Sequence, residues 1–313
     1  MDAVQRMYNK LEAGSVTFDC GGYINNFDPF LRTSLFTGLL YERLKRKNDT
    51  ILNIYRNEGQ SWEQVFHALL FHYLGAPSNI EAFETLADTI SYTVTKLYIR
   101  KPEKLEALFI GGSGLLDLYP YDEYTHNIRL EFEYMSHKHN IRKMSPGVWN
   151  LERISPYNHP VLRLSQAVAI FSQPDFNIDH ILGCRTSADA ERLLCKEASD
   201  YWSTHFCPSI TSEPVPKRIG RDKAHILAIN AIVPLLFSHG SYINSDRLRD
   251  RAINLLDDLK PENNYKIRSW TNSGFIPRSA FDTQELIQLG DAYCRQQRCR
   301  ECPIGMHIVK TLK

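Results

Sequence analysis

Apolar residues recur at three- and four-residue spacing along nearly all of this 313-residue chain, and strict apolar/polar alternation is almost absent. That spacing gathers apolar side chains on one face of a helix, whereas a half-buried strand needs a period of two. The expectation is an all-α protein, a multi-helix bundle of orthogonal or irregular packing. In "PFLRTSLFTGLLYERLKRK", Phe30, Leu31, Leu35, Leu39 and Leu40 form one stripe, while Arg32, Arg43, Lys45, Arg46 and Lys47 fall mostly elsewhere. "RDKAHILAINAIVPLLFSHG" is apolar on nearly every face, which predicts a central buried helix kinked at Pro234.

Capping residues punctuate the pattern. Ser61 and Gly75 bracket one helix, a serine opens "SNIEAFETLADTI", Thr186 or Ser187 opens another helix, and Asp282 or Thr283 opens the last. "GGSG" at 111–114 reads as a helix break where two backbones approach closely. The segment "YDEYTHNIRLEFEYMSHKHN" reads as a polar, exposed helix. Proline-rich stretches at 141–160 and 207–220 suggest two helical subdomains, 1–150 and 151–313.

Composition narrows the function classes. A 43% hydrophobic content supplies a sizeable core, and 37 basic against 36 acidic residues leaves no global field for polyanions or membranes. Any nucleic-acid site must be a local patch. The apolar run Ile226–Phe237 is interrupted by Asn230 and Pro234 and is too short to span a bilayer, so no membrane is expected. The N-terminal "MDAVQRMYNKLE" lacks the apolar run of a signal peptide, which makes the cytoplasm the default location. Cys20, Cys184, Cys195 and Cys207 are scattered and read as reduced thiols.

Six short stretches, "GGSGLL" (111–116), "NHPVLRLSQ" (158–166), "ASDYWSTHF" (198–206), "LAINAIVPLLFSHG" (227–240), "PENNYKIRSW" (261–270) and "YCRQQRCRECPIG" (293–305), occur in an order that resembles the uncharacterised bacterial family called domain of unknown function 2851. The resemblance covers most of the chain and brings no established activity. Members of that family are usually longer, with an N-terminal portion whose Gly-Pro-Asp-Phe motif and later Glu-x-His look like a restriction-endonuclease-like metal site. This sequence has no "GPDF", so the nuclease-like part is expected to be missing, whether the chain is a natural short form or a C-terminal piece.

The terminal cysteine loop offers the most chemistry. Cys294, Cys299, Cys302 and His307, spaced C-x4-C-x2-C-x4-H, could close a structural zinc site. The segment also looks like the iron–sulfur loop of helix-hairpin-helix DNA glycosylases, although a histidine would replace the fourth cysteine. Packing of three small soft side chains under the last helix is the plainer alternative.

Arg295, Arg298 and Arg300, with Lys217, Arg218, Arg221 and Lys223, are the candidate phosphate-facing cations, set against the common case of a solvated charged surface. A third set, Asn158, Arg163, Gln166, Tyr201, Trp202 and His205, comes from two predicted helices. It either lines a pocket, with Arg163 gripping an anion and His205 moving protons, or ties down loop carbonyls.

No nucleophile elbow, phosphate loop or His-Glu-x-x-His motif is present. The reading that follows is a non-catalytic binding or scaffold module that contacts nucleic acid and supports a nuclease-like domain in longer relatives. The alternatives are a protein–protein interaction module, whose target is another protein or a missing N-terminal domain, and an enzyme with an Arg163/His205 pocket.

Overall fold

A computed structural model describes residues 20–311 apart from positions 58 and 175, and it is 68% helical. The charged N-terminal stretch weighed above lies outside the described residues. The all-α expectation holds.

α1 (Cys20–Asn25) leads into the long α2 (Pro29–Asn57), which opens where Asp28 accepts the Phe30 and Leu31 amides at 2.9 and 3.2 Å. Ser61 caps α3 (Trp62–Gly75) through the Gln64 amide, as its sequence predicts. α4 (Ile80–Thr89) instead has Asn79 at its cap position. That side chain is spent elsewhere: it accepts from the Asn150 amide and donates to the Asn150 carbonyl, tying the helix start to a distant loop.

α5 (Tyr92–Lys96) and α6 (Pro102–Glu106) are short, and α6 runs on into a wide π turn over Ala107–Gly111. The glycine break behaves as expected. A Cβ on Gly111 would lie 2.5 Å from Phe132, and Gly114, at φ +74°, would place one 2.1 Å from the Met144 carbonyl oxygen. α7 (Glu123–His139), held at its start by a capping box of Asp122 and Thr125, is less exposed than its polarity suggests. Ile128, Phe132 and Met135 are buried, because the glycine break lets Phe132 press onto the preceding backbone.

α8 (Pro160–Phe171) is buried along almost its whole length. α9 (Ile178–Gly183), α10 (Ser187–Leu194, capped by Thr186 with Asp189 in return) and the single turn α11 (Asp200–Ser203) follow. A hairpin of β1 (His205–Cys207) and β2 (Ile210–Thr211) comes next, with Ser209 left-handed at its tip. His205 therefore sits on a strand, which corrects the expectation that it comes from the same predicted helix as Tyr201 and Trp202.

α12 (Arg221–Leu227) continues through a π turn, Ala228–Ile232, into α13 (Val233–Tyr242). Pro234 cannot donate to the carbonyl a turn before it, and the ladder answers by widening just ahead of the ring. By length and composition Arg221–Tyr242 could cross a membrane, yet 78% of its most apolar window is buried inside the protein, the setting of a core helix.

α14 (Asp246–Asp258) packs on α13. α15 (Tyr265–Asn272) is capped by Asn264, and α16 (Ala280–Leu289) starts after Ser279 rather than at Asp282 or Thr283. α16 widens into Gly290–Cys294, and α17 (Pro303–Thr311) closes the described chain against α1.

One large core runs from Leu40 to Ala280 and takes residues from both sides of position 150. A smaller core gathers Ile24, Phe36, Leu39, Ile267, Trp270, Phe275 and Leu286 with Cys302, Ile304 and Ile308, so the two ends of the described chain meet there.

Candidate functional site

Glu106 ends α6 at the mouth of its π turn and points into the interior. Its Oε1 accepts from Ser165 Oγ of α8 at 2.7 Å and from Trp202 Nε1 of α11 at 2.7 Å. Ser199 Oγ, just before α11, donates to both carboxyl oxygens at 3.1 and 3.2 Å. Burial raises the Glu106 pKa and these donors pull it back, so desolvation is met by a shell of hydrogen bonds. Tyr124 stands beside the same carboxylate, and burial with that negative neighbour lifts its phenol well above normal.

One turn of α8 carries the second arm. Arg163, buried, donates from Nη1 to Gln166 Oε1 at 2.8 Å and from Nη2 to Asn158 Oδ1 at 2.6 Å, while its Nε has no partner. With only neutral acceptors, burial lowers its pKa to about 10. Gln166 Nε2 donates to the Lys217 carbonyl at 3.3 Å. Lys217 itself is 1% exposed, its ammonium donating to the Ser203 carbonyl at 3.2 Å and lying 3.9 Å over the Phe206 ring.

Lys223 of α12 reaches the Tyr73 carbonyl at 2.7 Å. Burial, with the Arg163 charge added, brings its pKa down to about 7. Asn158, Arg163 and Gln166 thus hydrogen-bond to one another and to the backbone of Lys217, which the sequence places among the phosphate-facing cations, while Trp202 serves Glu106 instead.

His205 takes a different place. Its Nδ1 lies 2.8 Å from the Tyr201 carbonyl oxygen, and its ring stacks 4.0 Å from that of Tyr201, which stacks 3.7 Å from Tyr124. The Tyr201 hydroxyl donates to Asp122 at 2.7 Å and accepts from the Ser209 amide. His205 ends an aromatic ladder, and neither it nor Arg163 lines any of the four clefts described among these residues.

Of the candidate cations at the surface, Arg221 pairs with Glu191 at 3.2 Å, Arg295 with Asp291 at 3.0 Å, and Arg298 with Glu301 at 2.5 Å. An arginine already matched by a carboxylate offers little net attraction to a phosphate.

The terminal cysteines pack on the smaller core. Cys302 is buried, and its sulfur accepts from the Ile304 and Gly305 amides. Cys294 is partly buried and its thiol pKa is raised, by burial first and then by neighbouring Cys302, Cys20 and Cys299. Cys20, from the other end of the described chain, is the neighbour that sequence spacing missed, since nothing local connects it to the loop. His307 packs edge-on against Phe27 at 5.1 Å. Among the described residues no three His, Cys, Asp or Glu side chains stand close enough together to hold a metal ion.

Glu106, Ser165, Ser199 and Tyr124 were also missed. A lone Glu between Leu105 and Ala107 carries no motif, and only its place at an otherwise apolar helix end could have drawn attention.

No curated protein and no solved structure matches the chain significantly. A family model does, over residues 1–265, and its description is protein of unknown function (DUF2851). With most of its length covered, and with its signatures falling on the glycine break, α8, α11 and the α12–α13 helix, the chain belongs to that family.

Proposed function

We propose that this chain is a non-catalytic helical binding module whose partner is a protein, a separate chain or the nuclease-like portion implied for longer members of the family. The observation that carries this reading is that the Arg163 set singled out in the sequence, and the Glu106 carboxylate, are consumed internally. The Glu106 carboxylate is ringed by hydroxyl and indole donors, and the Arg163 guanidinium is held by Asn158 and Gln166. A general acid or base must reach a substrate proton, and groups saturated inside the fold do not. A protein rather than a nucleic acid is favoured because Arg221, Arg295 and Arg298 are paired with acids; Phe30 and Ile276, 83% and 78% exposed, are the apolar positions at which a partner is sought.

The test places a photo-crosslinking phenylalanine analogue at Phe30 or Ile276 in cells that make the protein. One defined protein adduct at both positions, absent with the analogue at Glu123, is expected. Mobility shifts with single- and double-stranded oligonucleotides that tighten steeply at low salt would overturn the choice in favour of nucleic acid.

A second reading concerns the terminal loop. Zinc, or less readily an iron–sulfur cluster, would require Cys294, Cys299 and Cys302, with Cys20 near Cys294, to draw closer together than they stand, since no three such side chains among the described residues gather tightly enough as they are. Elemental analysis of untagged protein beside a Cys299→Ser/Cys302→Ser variant tests it. Bound metal lost in the variant supports the site, and metal-free protein of full stability sinks it.

A further inference from the structure

A cleft of about 580 Å3 opens between the start of α2, the middle of α14 and the start of α16. The family match ends at 265, so the α16 wall lies beyond it. Glu285, near the middle of α16, lines this cleft, is 1% exposed, and its Oε1 has no hydrogen-bond partner. The other acids on the wall are already engaged: Asp257 accepts from Ser279 Oγ at 3.2 Å and Asp282 from the Arg278 amide at 2.7 Å. Arg32 on α2 faces the same space but lies over the Phe275 ring at 4.6 Å.

We propose that this cleft binds an organic cation, a guanidinium or primary ammonium group on an alkyl stem, with its donors on Glu285 Oε1 and its stem against Phe27 and Phe281. An unmatched buried acceptor calls for a donor. Asp257 and Asp282 add negative potential, and the aromatic rings favour a cation with an apolar tail. A metal ion does not fit, because no three acids among the described residues gather closely enough to ligate one. An anion is disfavoured by the Asp257 and Asp282 carboxylates on the same wall.

The proton balance gives the site a signature. Burial, Asp282 and Asp257 push the Glu285 carboxyl up to about 9, against the opposing charge of Arg32, so it is protonated at neutral pH. Arg278 contributes the remaining nearby charge. A bound cation favours the carboxylate, so binding releases a proton from Glu285 to the buffer.

The experiment is calorimetric titration of the full chain near neutral pH with agmatine, with a blocked Gly-Arg-Gly peptide, and with a neutral alkylurea. Each titration is run in phosphate and in Tris, whose ionisation heats differ. The expected result is one site for a guanidinium probe, heats that differ between buffers by up to one proton, no binding of the urea, and affinity about tenfold or more weaker in Glu285→Gln. Agmatine without the peptide would indicate a free metabolite, and peptide binding an arginine side chain of a partner; both support the site.

Asp257→Asn, an exposed position, gives a second variant with a smaller expected loss if Glu285→Gln does not fold. Absence of binding by either guanidinium probe to folded protein, equal binding of the urea, or buffer-independent heats would overturn the proposal. None of these outcomes bears on the crosslinking result, so this inference and the binding-module reading fail separately.

Discussion

Glu106 and Glu285 are both buried carboxyls in helices, and their surroundings give them opposite fates. Glu106 has its cost of burial met by serine hydroxyls and an indole, so its role is to brace α6, α8 and α11. Glu106→Ala leaves those donors buried without an acceptor and should cost about 3 kcal/mol or more in urea unfolding, with Glu106→Gln, which keeps one acceptor oxygen, costing less. A Glu106→Ala variant as stable as the parent would show that the shell is not bracing the fold.

Glu285 has no such shell. Its pKa is raised above the unfolded value, so the folded form holds the proton more tightly and its stabilising effect is complete at low pH and lost as pH rises through about 9. The unfolding temperature of the parent should fall across that range, while Glu285→Gln should flatten the dependence and melt at least about 3 °C higher at its alkaline end. Neither fate was legible in the sequence. A carboxyl's meaning depends on which hydroxyls and apolar walls the fold delivers to it from tens of residues away, and position 285 sits in an ordinary-looking "TQELIQ".

The helices were far more legible than their ends. Apolar periodicity located α2, α3, α8 and the α12–α13 helix because a face of large side chains repeats whatever the tertiary context. The starts at Asn79 and Ser279 were misread because several short polar side chains stood near each one, and only the packed structure decides where the helix begins. Asn79 shows the competition directly, since its amide serves Asn150 instead of its own helix. His205 failed for another reason: the two-residue turn at Pro208 and Ser209 ends the helical pattern without any run of alternation.

The glycine break succeeded because glycine is demanded there by geometry. Gly114 combines φ +74° with a backbone carbonyl 2.1 Å from where a Cβ would sit. Gly114→Ala should therefore cost about 2 kcal/mol or more, measured as a lower urea midpoint. Gly38, with open space around its Cβ position, is the contrasting control: Gly38→Ala, within α2, should be neutral or slightly stabilising. Equal costs at the two positions would show that the close approach at Gly114 does not constrain the helix break.

Across the whole molecule the two cores need not stand or fall together. The large one is threaded by α3, α8 and the α12–α13 helix, whose apolar faces are buried nearly all round. The smaller one is closed by two short elements from opposite ends of the described chain, α1 and α17, which meet over Cys302 and Ile304 and lean on the first turns of α2. Elements so short contribute little helical stability of their own, so they persist through that packing. Local opening should follow the same division, because opening free energy tracks buried apolar contact. Hydrogen exchange at equilibrium should show the amides of α1, α15 and α17 opening together, well before those of α3, α8 and α13. A guanidinium ligand seated on Glu285 should slow exchange in α16 and the first turns of α2, since it bridges the walls that the smaller core holds in place. Uniform protection across both cores would mean that α1 and α17 are bound into a single cooperative unit. In that case the cation cleft would be a rigid recess, and its ligand would change exchange only at the residues it touches.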